Sequence, residues 1–187
     1  MVSYAQNMKK SSLYLSRKFD ELLLRWFAQN RKFPLKAHRD RSAYKLYMAD
    51  TGLLLSQIDE EAQADVRVRR NLGTWKGGLF ENIVAEALVK AGCDLAYFKR
   101  DNSTLEMDFF LRSGDCLVPV EVKSENARGK SLRTLIASDR YKDIRWGVKL
   151  VNGDVGFENR ILTMPQWSAF LLPRLLKSVA ESVPRQG

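Results

Sequence analysis

The sequence predicts an α/β domain, and three observations carry that expectation. Two runs of alternating residues flank a tight-turn signal at Ser113-Gly114-Asp115, an apolar helical stripe precedes them, and further helix and strand patterns follow. With 187 residues and 45% hydrophobic content, the chain can bury a sizeable core and needs neither disulfides nor a structural metal.

From the N-terminus, Leu13 to Asn30 can be read as an amphipathic helix through Phe19, Leu22, Leu23, Trp26 and Phe27. Phe33-Pro34-Leu35 and the basic run to Arg41 read as loop, because proline restricts the residue before it and removes a donor. Tyr44 to Met48 reads as a short strand, with Asp50 capping the next helix. The polar stretch Ile58 to Asn71 is expected to be the least ordered before the core. Thr74 is the expected N-cap of a helix from about Trp75 to Ala91. Glu81 falls on its inward stripe with Val84, Ala85 and Leu88, where a carboxylate is costly unless paired or ligating a cation.

Leu105 to Arg112 alternates so that Leu105, Met107, Phe109 and Leu111 share one face, leaving Glu106 and Asp108 on the other. Leu117 to Lys123 alternates likewise, with Val118, Val120 and Val122 opposite Glu121 and Lys123. If Gly114-Asp115 is a two-residue hairpin loop, Ser113 faces Cys116, Asp108 faces Glu121 and Glu106 faces Lys123. Opposed carboxylates with Cβ atoms about 5 Å apart repel. A divalent cation fits that gap, with Lys123 alongside, and the constellation suggests a metal-assisted phosphodiester site. The same alternation also suits an ordinary half-exposed antiparallel sheet carrying a cross-strand ion pair.

Beyond this hairpin, Leu132 to Arg140 reads as a second helix. Trp146 to Val151 and Val155 to Leu162 read as strands around an Asn152-Gly153 hairpin signal. Pro165 then opens a terminal helix through Trp167, Phe170, Leu171 and Leu175, with a kink expected at Pro173.

The pattern Asp108…Glu121-Val122-Lys123 with Glu81 upstream resembles the PD-(D/E)XK nuclease-like superfamily. More narrowly, Lys45-Leu46-Tyr47-Met48-Ala49-Asp50-Thr51-Gly52-Leu53-Leu54, Gly78-Leu79-Phe80-Glu81-Asn82-Ile83-Val84-Ala85 and Glu106-Met107-Asp108-Phe109-Phe110-Leu111 resemble the uncharacterised C-terminal domain of prokaryotic AAA-type ATPases. The resemblance runs from about Leu22 to the last helix. It implies a core of helix, three-strand antiparallel meander, helix and further strand, and extended structure after Leu23 instead of helix. It implies that Asp108 and Glu121 ligate Mg2+ or Mn2+, that Lys123 holds the attacking water or the phosphate, and that Glu81 supports the metal. Many members of the superfamily have lost cleavage, so the resemblance equally implies a catalytically inactive nucleic-acid-binding or protein-interaction module attached to an ATPase. The expected organisation is a basic N-terminal extension and linker over residues 1–57, following a missing ATPase module, and the nuclease-like domain over 58–187.

The net charge of +9 is unevenly placed, since residues 1–45 hold eleven basic side chains against three acidic ones. Lys9, Lys10, Arg17, Lys18, Arg31, Lys32, Arg39 and Arg41, interleaved with aromatics, are the expected contacts to a nucleic acid, DNA in the first instance. The single histidine, His38, argues against most zinc sites and any Cys-His mechanism, and Cys93 and Cys116 read as core thiols of a reducing compartment. No apolar run approaches a membrane span and no secretory signal opens the chain, so a cytoplasmic location is expected. Gly129-Lys130-Ser131 sits between strand and helix as the end of a P-loop would, but position 124 is serine where that motif needs glycine.

Overall fold

The structure is a computed structural model and describes residues 25–30, 39–68, 73–99, 104–114, 116–124, 129–141 and 144–182. Within these, the chain forms β1 (Arg25–Asn30), β2 (Arg39–Tyr47), α1 (Thr51–Ser56), α2 (Glu60–Arg67), α3 (Gly73–Lys90) and β3 (Ala96–Lys99). It continues as β4 (Glu106–Ser113), β5 (Cys116–Val122), α4 (Lys130–Ile136), β6 (Gly147–Val151), β7 (Gly156–Glu158) and β8 (Ile161–Pro165). A 3-10 helix, Gln166–Leu171, leads into α5 (Leu172–Ser182).

The result is a mixed α/β architecture whose strands run in the order β2-β1-β3-β4-β5-β6-β8-β7. The β1–β2 hairpin joins the other six strands through one parallel bridge, Gln29 to Tyr97. From α3 to β6 the chain runs helix, three-strand antiparallel meander, helix, parallel strand, with α4 the crossover between β5 and β6.

Two hydrophobic clusters cover the two faces of the sheet. On one side Val84, Ala85 and Leu88 of α3 pack against Phe109, Leu111, Val118, Val120, Val122, Val148 and Leu150, joined by Leu172 and Leu176. On the other, Leu132, Leu135 and Ile136 of α4 pack against Phe98, Met107, Phe110 and Ile161. Three buried apolar residues within seven positions fix the orientation of α4, a helix too short to be stable on propensity alone.

The β4–β5 hairpin has the expected register, with Ser113 opposite Cys116 and Phe109 opposite Val120, and Gly114 supplies the positive φ its two-residue turn demands. Asp50 caps α1 by accepting from Leu53 N.

Other expectations are corrected. Of the two readings open after Leu23, the extended one holds, since Arg25–Asn30 is strand; Arg39 to Arg41 begin β2 instead of ending a loop. The stretch Ile58 to Asn71 contains α2, capped by Asp59 and led by Glu60 and Glu61, where carboxylates favour a helix N-terminus. Helix α3 starts at Gly73, so Thr74 lies within it instead of capping it. The second helix stops at Ile136, and Asp139–Tyr141 is a separate 3-10 turn. Asn152-Gly153 does not close a hairpin: β6 pairs with β8 in parallel, and the tight turn lies at Asn159 and Arg160, both at positive φ between β7 and β8. Pro173 does not kink the terminal helix, because it falls in the first turn of α5, where its missing N–H has no intrahelical acceptor.

A candidate acidic site held by a lysine

Strands β4 and β5 determine which acids can meet. From Ala96 to Phe98, β3 advances two residues while its partner β4 runs three, from Phe110 back to Met107. The extra residue is a β-bulge, and it reverses the facing of everything before it. Phe109 and Leu111 remain on the α3 side, whereas Met107 joins Phe110 on the α4 side. Glu106 and Asp108 therefore turn toward α3. Val120 and Val122 also face α3, which sends Glu121, and with it Lys123, toward α4.

The expectation that Asp108 and Glu121 share one sheet face is therefore corrected, although the hairpin register behind it holds. Glu106 likewise meets Lys45 and Lys99 instead of Lys123. The physical reason is that the β4–β5 ladder ends at Phe109 and Val120, and the Asp108 side chain takes over by accepting from Val122 N at 2.8 Å.

What does converge is Glu81 with Asp108, as expected, and with Glu106. A strand that the motif reading left without a role supplies their partner. Lys45 on β2 places its Nζ 2.7 Å from Glu81 Oε1, 3.1 Å from Glu106 Oε1 and 3.5 Å from Asp108 Oδ1. Two residues on, and so on the same face of the strand, Tyr47 donates its hydroxyl to the same Glu81 oxygen. Its ring centroid lies 5.7 Å from that of Phe109, and Lys45 Nζ lies 5.4 Å from the centre of the Tyr97 ring.

The charges respond to this packing. Burial pushes the Asp108 carboxyl up to about 6, and the neighbouring Glu81 adds to the rise against the pull of Lys45. Burial alone would lower the Lys45 ammonium, but Glu81 and Asp108 outweigh it and hold the group above its ordinary value. Burial and then Glu81 push the Tyr47 hydroxyl well above its usual range. Glu106 is held below the usual carboxylate value because Lys45 and Lys99 overcome the penalty of its burial.

A second network docks this strand on the helix. Asn82, 3% exposed, accepts from Met48 N at 2.7 Å and donates to Met48 O at 3.2 Å and Thr51 Oγ1 at 2.9 Å. Glu86 Oε2 accepts from both Thr51 N and Thr51 Oγ1. Replacing Asn82 by alanine removes the side-chain partner of part-buried backbone groups of Met48 and should cost on the order of 1–2 kcal/mol in urea unfolding. An Asn82→Ala protein as stable as the native chain would mean that Met48 finds other partners.

On the opposite face, Glu121 is 3% exposed; Lys123 Nζ lies 2.9 Å from its Oε1, while its Oε2 has no hydrogen-bond partner among the described residues. Asp108 and Glu121, the implied metal ligands, thus have different lysine partners: Asp108, with Glu81 and Glu106, lies around Lys45, and Glu121 pairs with Lys123. Among the described residues, no group of three or more histidine, cysteine, aspartate or glutamate side chains is arranged to hold a metal ion.

Of the expected nucleic-acid contacts, Lys9, Lys10, Arg17, Lys18, Arg31 and Lys32 lie outside the described residues, as do the side chains of Arg39 and Arg41 on β2. No helix among the described residues is long and apolar enough to cross a membrane.

Residues 76–167 match the family model of a domain of unknown function, DUF4143. The DUF4143 match runs from within α3 to just past β8 and takes in Glu81, Asp108, Glu121 and Lys123. Lys45 and Tyr47 precede it. No curated protein and no solved structure matches the chain.

Proposed function

We propose that the chain carries a non-cleaving domain of the PD-(D/E)XK type that binds nucleic acid as the C-terminal part of a larger ATPase. The fold part of this reading is supported by the order helix, meander, helix, parallel strand over residues 73–151. Its silence rests on one observation: Lys45 Nζ sits 2.7 Å from Glu81 and 3.5 Å from Asp108. The chain's own ammonium stands between Glu81 and Asp108, two of the carboxylates that a metal-assisted hydrolysis would use. Nucleic acid is favoured as partner by the ten basic residues among the first 44, Lys45 being taken up by the acidic cluster.

Two measurements test the proposal. Single- and double-stranded substrates should remain intact with millimolar magnesium or manganese, and a labelled oligonucleotide should bind equally well in EDTA. Metal-dependent cleavage that disappears in Asp108→Ala would overturn it and restore the hydrolytic reading. Oligonucleotide binding that requires the metal would count against it as well.

A further inference from the structure

We infer that the α4 side of the sheet, at the carboxyl ends of β5 and β6, is a docking surface for a nucleic-acid phosphate backbone, formed by Lys123, Lys130, Arg133 and Lys149. The inference rests on the nucleic-acid reading above and gives it a location outside the basic N-terminal residues.

The register assembles these cations. Glu121 and Lys149 are neighbours across the parallel β5–β6 ladder, so their side chains leave the same face, and Lys123, two residues after Glu121, leaves it too. Gly129 brings the chain down onto this corner at φ +57. A Cβ there would stand 2.9 Å from Glu121 Oε2 and 3.5 Å from Lys149 Cδ, so the approach is one that a side chain would block. Lys130 follows directly. Because Leu132, Leu135 and Ile136 turn inward, Lys130 and Arg133 point out together as an i, i+3 pair with Cβ atoms about 5–6 Å apart. Gly129-Lys130-Ser131, unexplained as an ATP motif, thus acquires a role as the turn that leads from the close approach of Gly129 to Lys149 into Lys130.

Among the described residues, the acid that lies among these cations, Glu121, is buried. Glu121 is 3% exposed and its Oε1 is engaged by Lys123, so the exposed Lys130 and Arg133 stand beside a hidden carboxylate. The exposed large apolar residues among those described, Leu46, Val68, Val155, Phe157, Trp167, Phe170 and Leu171, lie on none of β5, α4 and β6. Three of them sit on the 3-10 helix that packs against α3, on the opposite side of the sheet. A membrane surface would call for apolar side chains beside the cations; a phosphate backbone needs only the cations.

The test uses the full chain and fluorescence anisotropy with a labelled single-stranded oligonucleotide and its duplex across a range of salt. Lys130→Ala with Arg133→Ala, two exposed positions, should weaken binding on the order of tenfold and lower the slope of log K against log salt by about 2. Arg174→Ala with Lys177→Ala, an exposed i, i+3 pair on α5, removes the same charge and should leave affinity near that of the native chain. Equal losses from both pairs would reduce the effect to net charge and overturn the placement. A native chain that binds while the Lys130 and Arg133 variant binds equally well would overturn this surface alone. A native chain that binds neither oligonucleotide would overturn the nucleic-acid reading itself, and this surface with it. Lys130- and Arg133-dependent sedimentation with phosphatidylserine vesicles, without oligonucleotide binding, would reassign the surface to lipid.

Discussion

Lys45→Met should be the most damaging single substitution in the acidic site, lowering stability at pH 8 by about 2–3 kcal/mol in urea unfolding. Removing one partner of a buried ion pair costs about 3–5 kcal/mol in general; Lys45 is 21% exposed, so solvent recovers part of that. Methionine preserves the length of the stem and its packing while deleting the charge. Glu81, Glu106 and Asp108 are then left facing one another without the cation that now lies within 3.5 Å of each. The loss should be smaller in the presence of Asp108→Asn, which removes one of the three repelling charges, so the two substitutions should be non-additive in a double-mutant cycle. Strict additivity would mean that Lys45 and Asp108 do not sense each other, and a native-like Lys45→Met would remove the internal cation from the account of the site.

How much of this was legible in the sequence depends on whether the determinant was local. The β4–β5 register follows from turn chemistry at Gly114 and was readable. The bulge beside it was not, because an extra residue in a strand leaves the alternation Met107, Phe109, Leu111 intact on paper while reversing Met107 in space. That single residue moves Asp108 from Glu121 to Lys45. Glu81 was readable as a buried charge on an apolar stripe, but its partner was not: Lys45 lies 36 positions away, and only the pairing of β2 beside the sheet brings it there. The Lys45-x-Tyr47 spacing, two polar groups on one face of a strand, was the available signal. Asn152-Gly153 misled because both it and Asn159-Arg160 carry turn residues, and the parallel β6–β8 pairing that decides between them is a contact between segments, invisible to local pattern.

Asp108→Asn should raise stability at pH 8 by about 2–3 kcal/mol and abolish a distinctive rise in stability on mild acidification. The sign follows from the direction of the shift. The Asp108 carboxyl is raised from 3.8 to about 6 in the folded protein, so the folded state binds its proton more tightly than the unfolded chain does. Its ionisation is therefore a cost to folding that is fully present above about 6, shrinks as pH falls, and is gone below 3.8. Glu86 and Glu106 work in the opposite sense: both are held below 4.5, so their contributions are intact above that value and fade as pH drops beneath it. The two windows meet near 4.5. Melting temperature should climb as pH is lowered from 7 toward 5, as Asp108 takes up its proton, and decline once Glu86 and Glu106 begin to take up theirs. In the asparagine variant the amide oxygen can still accept from Val122 N, and Lys45 keeps Glu81 and Glu106, so the upper limb of the profile should flatten while the acid limb persists. An asparagine variant that is less stable than the native chain at pH 8, with the climb between pH 7 and 5 unchanged, would show instead that Asp108 serves the fold as an anion and that Lys45 more than repays its burial.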